Sequence, residues 1–397
     1  MKHKVLVYKP DLLPYSETFI KEQVLAYRSW QGALVGHRRV PNGLPLNGVE
    51  IRLLLGDPPS RGEKWLWRLR RWIGVVSKAE IRQLEEENAQ ILHAHFGTVA
   101  VDIWPLARAL GLPMMVTLHG YDINIRREWW ENGHGGWRRR RYPKQLLALA
   151  REPHVHFIAV SEAIRRRAID FGIPVEKITV CYIGVDTERF RPGGMPISQR
   201  PSRVLFVGRL IEKKGAAYLI EAFSDISRKI PDAELVIVGD GPLRQQLETQ
   251  ARATSARITF LGALNNDQIK LQLDQARIFC LPSITASNGD AEGLPIVILE
   301  ALACGVPVVT SARGAVGEAV VNNESGFTFP ERDIARLITL LTSLLTDNSL
   351  VERCSLNARQ HIVSHFALTH KTELLEQIYE RWLDASREKR KKELTSR

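Results

Sequence analysis

Two carboxylates stand eight positions apart, Glu292 and Glu300, in a stretch otherwise rich in Leu, Ile and Val: DAEGLPIVILEALACGVPVVTS, 290–311. A charge inside an apolar element is costly unless something pairs with it. The preceding SNGDAEG is made of turn formers. Pro295 suits a first helical position, and Gly305 with Pro307 stops a helix, so the spacing predicts a helix over 295–304. Glu292 then lies in the loop before it and Glu300 about one and a half turns in. The free N–H groups at that helix start, at Gly293, Leu294 and their neighbours, favour an anion. Arg209 and Lys214 follow a strand and Gly208 in VLFVGRLIEKKG, 204–215. They suit a phosphate, Arg by its planar fork and Lys as a point charge. Two hydroxyl-accepting acids, two cations and an anion-binding helix end would hold a molecule with hydroxyls at both ends and phosphates between. A nucleotide sugar has that layout. Taken singly, each feature also fits a solvated loop or a tight turn.

These side chains need elements that bring them together. Short apolar runs alternate with longer amphipathic stretches along the chain. In the first half the strand candidates are KVLVY (4–8), GALVGH (32–37), ILHAHF (91–96), MMVTLHG (114–120), HFIAVS (156–161) and ITVCYIG (178–184). In the second half they are RVLFVG (203–208), ELVIVG (234–239), ITFLG (258–262), IFCLPS (278–283) and VPVVTS (306–311). The alternation predicts parallel sheets with helices on both faces, twice over. At 397 residues the chain is too long for one core. RFRPGGMPISQRPS, 189–202, reads as a linker. The expected organisation is a first domain over 1–190 and a second over 201–365. A last helix and basic tail over 366–397 should pack back toward the first domain. Ligands of open parallel sheets bind outside the carboxyl ends of the strands, so two such domains facing across a cleft would share one site. Gly208 would let the backbone turn sharply after its strand. The second strand–glycine turn, ELVIVGDGP, lacks the GxGxxG dinucleotide spacing.

Composition excludes some classes and suggests a partner. Hydrophobic content of 44% and charged content of 25% are ordinary for a globular protein. No stretch approaches the roughly 20 apolar residues of a membrane span, and the apolar run in MKHKVLVYKP is too short for a signal peptide. Cys181, Cys280, Cys304 and Cys354 are widely spaced with no CxxC pair, as expected for reduced thiols in a cytosolic protein without a metal site. Residues 1–200 carry 31 Lys/Arg against 20 Asp/Glu, and the remainder 24 against 24. Eight of the nine tryptophans also lie in the first half. KWLWRLRRWIGVV, 64–76, puts Trp65, Leu66, Leu69, Trp72, Ile73 and Val76 on one helical stripe, with Arg68, Arg70 and Arg71 off it. RREWWENGHGGWRRRRYPK, 126–144, adds Trp129 and Trp130 among arginines. This pattern predicts a peripheral contact with an anionic membrane surface through Trp65, Arg68, Leu69, Arg71, Trp72, Trp129 and Trp130. The competing expectation is a stripe packed on the core.

EGLPIVILEALACGVPVV, with Glu292 and Glu300, resembles the E-x7-E motif of the retaining glycosyltransferases of family 4, which adopt the GT-B fold. FVGRLIEKKG, IVGDGP and GVDTERFRP match that family in order and spacing, as do HAHFG, TLHGYDI and VSEAI in the first half. The resemblance covers nearly the whole chain. PYSETFI, 14–20, with HAHFG is similar to the subset that builds bacterial exopolysaccharides and O-antigens. It implies an α/β GT-B architecture of two Rossmann-like, doubly wound parallel-sheet domains. It further implies that Glu300 holds the ribose hydroxyls of a UDP- or GDP-sugar. Glu292 would bind the transferred sugar, helped by backbone N–H groups from Gly293 through Leu294 to Pro295. Arg209 and Lys214 would neutralise the diphosphate, and His119 would face the sugar near the reacting carbon. Many members carry paired glycines after the first strand; KPDLLPYSETF has none. Ser16, Glu17, Thr18 and Asp122 are the acceptor-side candidates that remain. The implied reaction retains anomeric configuration, uses no cofactor and no metal ion, and delivers sugar to a saccharide or lipid-linked saccharide. The expected location is cytoplasmic, at the inner face of the membrane. No D-x-D of the metal-chelating kind occurs.

Two rival classes have distinct signatures. The basic half could bind nucleic acid, but no recognised nucleic-acid motif is present. A sugar-nucleotide epimerase or a phosphorylase could share the fold. The first would act without an acceptor, and the second would need a lysine-bound pyridoxal cofactor.

Overall fold

The computed structural model describes residues 2–14, 17–41, 43–311 and 314–395, with Trp72, Ile73 and residues 387–395 described by their backbone alone. Ser16 and the Trp72 side chain, both named above, lie outside the described residues. The chain forms two compact units, Met1–Ile183 with Leu368–Arg397, and Gly184–Ala367.

The first unit is built on strands β1 (His3–Tyr8), β2 (Trp30–Gly36), β3 (Glu50–Leu53), β4 (Ile91–His95), β5 (Met114–Leu118), β6 (Val155–Ala159) and β7 (Ile178–Val180). They lie in the order β3-β2-β1-β4-β5-β6-β7, and all pairs are parallel. β4, β5 and β6 are buried along their whole length, which is why they read as mostly apolar runs, interrupted by the buried His93, His95, Thr117 and His156. β3 is a half-buried edge strand, EIRL. Its alternating charges leave no apolar run, so the sequence pattern does not reveal it. The helices used below are α1 (Thr18–Leu25), α2 (Arg61–Ile73), α3 (Gly97–Ala109), α4 (Tyr142–Arg151), α5 (Ile296–Ala303) and α6 (Leu368–Thr395). α2 starts in a Ser60–Glu63 capping box and stops at left-handed Gly74.

The last helix belongs to the first unit through specific bonds as well as apolar packing. Leu375, Ile378, Tyr379 and Leu383 of α6 join the core formed by Val5, Val7, Leu34 and Met115. Each such aliphatic side chain contributes about 1.5–3 kcal/mol by leaving water. Buried Glu376 accepts the backbone N–H groups of Arg28, Ser29 and Trp30, each at 2.9 Å. Those three donors run from the turn after α1 into the first residue of β2. The Tyr379 hydroxyl meets His93 Nδ1 at 2.5 Å and the Tyr27 hydroxyl at 2.9 Å.

The second unit repeats the plan with β8 (Arg203–Val207), β9 (Glu234–Val238), β10 (Arg257–Gly262), β11 (Ile278–Leu281), β12 (Val308–Thr310) and β13 (Gly326–Thr328). Their order is β10-β9-β8-β11-β12-β13, again parallel. The segment 189–202 is packed within this unit, not strung out as a linker. Phe190, Ile197 and Arg200 are buried, and Arg200 donates to the carbonyls of Leu273 and Ala276. Its Pro and Gly content sets local turns, while these contacts decide its place. All four cysteines are free and buried. Among the described residues, no single helix is long and apolar enough to cross a membrane.

Removing the Glu376 carboxylate strands three donors, each worth about 1–3 kcal/mol when left unpaired in the interior. Glu376→Ala should therefore lower the urea midpoint of unfolding clearly. Glu376→Gln, which keeps one acceptor oxygen, should lower it less. Equal effects from the two variants would show that the oxygen does not cap these donors.

Candidate active site

In both sheets the order reverses beside the first strand, at β1/β4 and at β8/β11. Ligands of open parallel sheets bind at the carboxyl ends beside such a reversal. In the second unit that place is formed by the Gly208–Gly215 loop after β8 and the 282–295 loop after β11.

Glycines let these loops approach. At Gly239, φ is +132° and an added Cβ would stand 1.9 Å from the Gly208 carbonyl oxygen. At Gly215, φ is +68° and the Cβ would stand 1.8 Å from the Pro282 oxygen. The left-handed backbone is therefore at Gly215 and Gly239; Gly208, expected to make the sharp turn, is not among the positive-φ glycines. Backbone bonds from Leu210 N–H to the Asp240 oxygen and from Ile284 N–H to the Lys213 oxygen complete the arrangement.

Two consecutive lysines then meet two acids from the neighbouring loop. Lys213 Nζ lies 3.1 Å from the Asp290 carboxylate, and Lys214 Nζ lies 3.0 Å from Glu292 Oε1. All four side chains are largely buried. Burial alone would raise the Glu292 carboxyl, but Lys214 and Lys213 outweigh it and hold the group below its usual range. Asp290 goes the other way: burial raises it despite Lys213. The two acids of the cluster are thus shifted in opposite directions, Glu292 downward and Asp290 upward. Lys214, expected to serve a phosphate, is held by Glu292, while Arg209 in the same loop is exposed. Sequence reading missed the Lys213–Asp290 pair; the acid two residues before Glu292, opposite a double lysine, was its only signal.

The helix after the loop differs slightly from expectation. It runs Ile296–Ala303, and Pro295 is its extended N-cap residue, not its first helical residue. Pro295 also has no N–H to offer an anion, so Gly293, Leu294 and Ile296 are the donors at this end. Gly293, Leu294 and Pro295 are all buried. Glu300 lies in the second turn of α5 and is only 4% exposed.

In the first unit His119 follows β5. Its Nε2 lies 2.9 Å from His95 Nδ1, and its ring packs 4.5 Å from Phe96 and 4.9 Å from Phe19 between centroids. His95 Nε2 is buried with no hydrogen-bond partner. Leaving an N–H donor unpaired costs more than leaving a bare ring nitrogen. His95 therefore carries its proton on Nδ1 and donates to His119 Nε2, which puts the His119 proton on Nδ1. Burial, with nearby Lys9 adding to it, holds His119 well below the usual imidazole range, and so it stays neutral. His93 and His95, two apart in β4, share one face. His93 bonds Tyr379 and Thr117 and is pushed down to about 3 by burial. That i, i+2 spacing in HAH was the available signal for the histidine row.

The acceptor-side candidates separate. Asp122 is fully buried and accepts the N–H groups of Gly97, His119 and Gly120 at 2.7, 3.1 and 3.0 Å. It ties the His119 loop to the start of α3. Thr18 is the buried first residue of α1. Glu17 pairs with Lys9 at 2.6 Å, and Lys9 also lies over the Phe96 ring at 4.1 Å. Phe96 has φ +76°, strained for a residue with a side chain.

The Trp/Arg surface is also resolved into parts. Trp65 is 64% exposed, Leu66 and Arg68 are exposed, and Leu69 is half-buried. Trp130 is 1% exposed and packs against Tyr121, Trp129 and Tyr142, so it belongs to the core. Arg71 is turned to Asp102 as an ion pair, and half-buried Trp129 lies against Trp130. The exposed tryptophan of the second cluster is instead Trp137, at 66%.

Residues 192–361 match the family described as Glycosyl transferases group 1, and residues 36–189 match Glycosyltransferase Family 4. The amylovoran biosynthesis glycosyltransferase AmsK of Erwinia amylovora is 32% identical over 73% of this chain and 70% of its own length. The putative colanic acid biosynthesis glycosyltransferase WcaL of Escherichia coli is 31% identical over 65% of this chain and 63% of its own. Among solved structures, Anabaena Alr3699/HepE in complex with UDP and glucose superposes with a TM-score of 0.75 at 18% identity, covering 95% of this chain and 99% of that one. Sucrose-phosphate synthase from Thermosynechococcus elongatus gives 0.76 at 17% identity, covering 97% and 100%. At these identities the structural likeness establishes the fold.

Two measurements test the site's electrostatics. Lys214→Met strands a buried carboxylate and should cost roughly 3–5 kcal/mol of stability by urea unfolding. Adding Glu292→Gln should recover part of that loss, and strictly additive effects would show no coupling. Separately, burial pushes His37 and His93 down to about 3. The unfolded chain takes up these protons below about pH 6.5, so the stability they confer is full above that pH and is lost as pH falls toward 3. Each contributes a slope of about 1.4 kcal/mol per pH unit. Between pH 6.5 and 5, above the main carboxylate range, stability should fall with pH, and His93→Gln should flatten the slope. An unchanged slope would remove His93 from the account.

Proposed function

This chain belongs to glycosyltransferase family 4, and from that premise we propose that it moves a sugar from a UDP- or GDP-sugar to a saccharide acceptor in exopolysaccharide assembly. The curated names of its relatives support the pathway class, and complexes of a structural neighbour with UDP and UDP-glucose support the donor class. The observation that carries the reading is the buried Lys214–Glu292 pair at the reversal point of the second sheet.

In this reading Glu300 binds the ribose hydroxyls, and ionised Glu292 accepts from the hydroxyls of the transferred sugar. Arg209, Lys214 and the N–H groups at the start of α5 receive the diphosphate. Breaking the anomeric C–O bond leaves negative charge on that diphosphate, and fixed donors stabilise it without reorganising. The acceptor hydroxyl forms the new bond on the face the diphosphate leaves, and its proton passes to a diphosphate oxygen. Configuration is thereby retained. His119 serves through its Nδ1–H as a donor to the sugar. No metal ion takes part, because the cations do its electrostatic work. The acceptor is lipid-linked, and exposed Trp65, Leu66 and Arg68 support a contact with the anionic inner face of the cytoplasmic membrane.

The test begins with thermal shifts over a panel of UDP- and GDP-sugars, where the donor should raise the melting temperature. Glu300→Ala should then weaken the nucleotide by about ten- to a hundredfold, the equivalent of a charged hydrogen bond of about 1.5–3 kcal/mol. Turnover should persist in excess chelator. Unchanged nucleotide affinity in folded Glu300→Ala would refute the ribose role. Activity lost to chelator and restored by magnesium or manganese would refute the cation reading.

A further inference from the structure

The two ion pairs in the loops after β8 and β11 are not alike. Lys213 Nζ donates to Asp290 and lies 3.1 Å from each of its carboxylate oxygens. Lys214 Nζ stands 3.0 Å from Glu292 Oε1, yet that buried oxygen has no hydrogen-bond donor aligned on it. The first pair is a hydrogen bond, the second a contact of charges alone. Both lysines act on Glu292, and both act on Asp290. The four side chains therefore face one another, two cations against two acids.

The backbone around them is tied down. The Ile284 N–H donates to the Lys213 carbonyl at 2.8 Å, and the Ala286 N–H to the Asp290 carbonyl at 2.9 Å. The Asp290 N–H donates to Asn288 Oδ1 at 2.8 Å, and Glu212 accepts from the Ser287 N–H at 3.2 Å. With the loops fixed, the lysine stems are the parts that can move. Each is a flexible chain ending in an ammonium that turns its donors freely.

A diphosphate received by Lys214 would disturb this balance. It adds negative charge to a neutral cluster and engages the cation nearest Glu292. A buried carboxylate that loses its cation must find another or take up a proton. Lys213 is the other cation that acts on Glu292, and Asp290 is the acid that burial already raises despite Lys213. We propose that Lys213 is the reserve cation of Glu292: when a ligand diphosphate draws Lys214, Lys213 passes from Asp290 to Glu292, and Asp290 takes a proton from solvent. Glu292 then stays charged for the sugar hydroxyls, and binding of the donor is linked to proton uptake. Lys213 and Asp290 are positioning residues in this exchange, which rests on the role proposed above for Lys214.

The test is titration calorimetry of the full chain with UDP-glucose and with GDP-mannose, whose diphosphates have no proton to exchange near neutral pH. Repeating each titration in buffers of different ionisation heat counts the protons taken up. The wild type should take up protons on binding. Its affinity should rise as pH falls from about 7.5 to about 5.5, by at most about tenfold per unit. Asp290→Asn should lose the uptake and flatten the pH dependence. Glu292→Gln should lose it too, because Lys213 then has no second anion to serve. Uptake that survives in Asp290→Asn would put the proton on another group and overturn the exchange. Uptake that survives in Glu292→Gln would show Asp290 titrating without any exchange, with the same consequence. Should Asp290→Asn fail to fold, infrared difference spectra of the wild type decide: a protonated-carboxyl band should appear on binding and move when aspartate carries heavy carbon. Its absence would overturn the proposal. Binding of either probe to the wild type without proton uptake would overturn the exchange and leave the donor reading intact. Failure of both probes to bind at any pH would overturn the donor reading, and the exchange with it.

Discussion

A carboxylate taken out of water must be matched by a positive charge at close range, and the second unit is arranged around that requirement. Glu292 is ionised and buried only because Lys214 lies 3.0 Å from it, with Lys213 next in sequence. To bring the lysines there, the loop after β8 must lie on the loop after β11. Gly215 and Gly239 permit that approach, since a side chain at either would run into backbone. The lysine pair pins two loops at the reversal of strand order and holds the Glu292 carboxyl low. A buried ion pair of this kind contributes little net stability against an apolar substitute, because desolvation offsets most of its attraction. What it supplies is a charge at a defined place before any ligand arrives, which electrostatic catalysis needs.

The first unit solves a different problem with neutral groups. A row of imidazoles, His93, His95 and His119, lies in the interior with stacked rings. Burial keeps each uncharged. Their hydrogen bonds then fix which nitrogen carries the proton, and so give His119 an oriented donor. Asp122 holds the loop that carries His119, and Tyr379 holds His93 from the last helix. The C-terminal helix thus touches the histidine row, although Tyr379 stands 286 residues from His93 in sequence. The route is a set of named bonds, from Glu376 and Tyr379 to the α1–β2 turn and β4.

Likeness at 17–18% identity with TM-scores of 0.75 and 0.76 shows how little of the sequence the architecture needs. Parallel strands buried on both faces accept Val, Ile, Leu, Met or Phe with little preference among them, provided volume is kept. The positions that admit few residues are those where backbones nearly touch or a charge is buried. Some of those positions, Gly215, Gly239 and Glu292 among them, lie in the loops that follow strands of the second unit.

The sequence by itself determined the alternation of strands and helices, the two-sheet α/β plan, and the E-x7-E stretch with its cations after a strand. These are local facts: periodicity, turn chemistry and charge in an apolar run are visible within about a dozen residues. The edge strands β3 and β13 were not legible, because half-buried or three-residue strands carry no pattern of their own. Only the tertiary structure decided that Lys214 serves Glu292, that Asp122 is capped by three backbone donors, and that Trp130 and Arg71 turn inward while Trp65 and Trp137 remain in solvent. It also placed residues 189–202 inside the second unit and gave α6 to the first. Each of these depends on a partner from a distant part of the chain. Spacing along a chain sets which way a side chain points within its own element, but what it meets there is set by the packing of the whole unit.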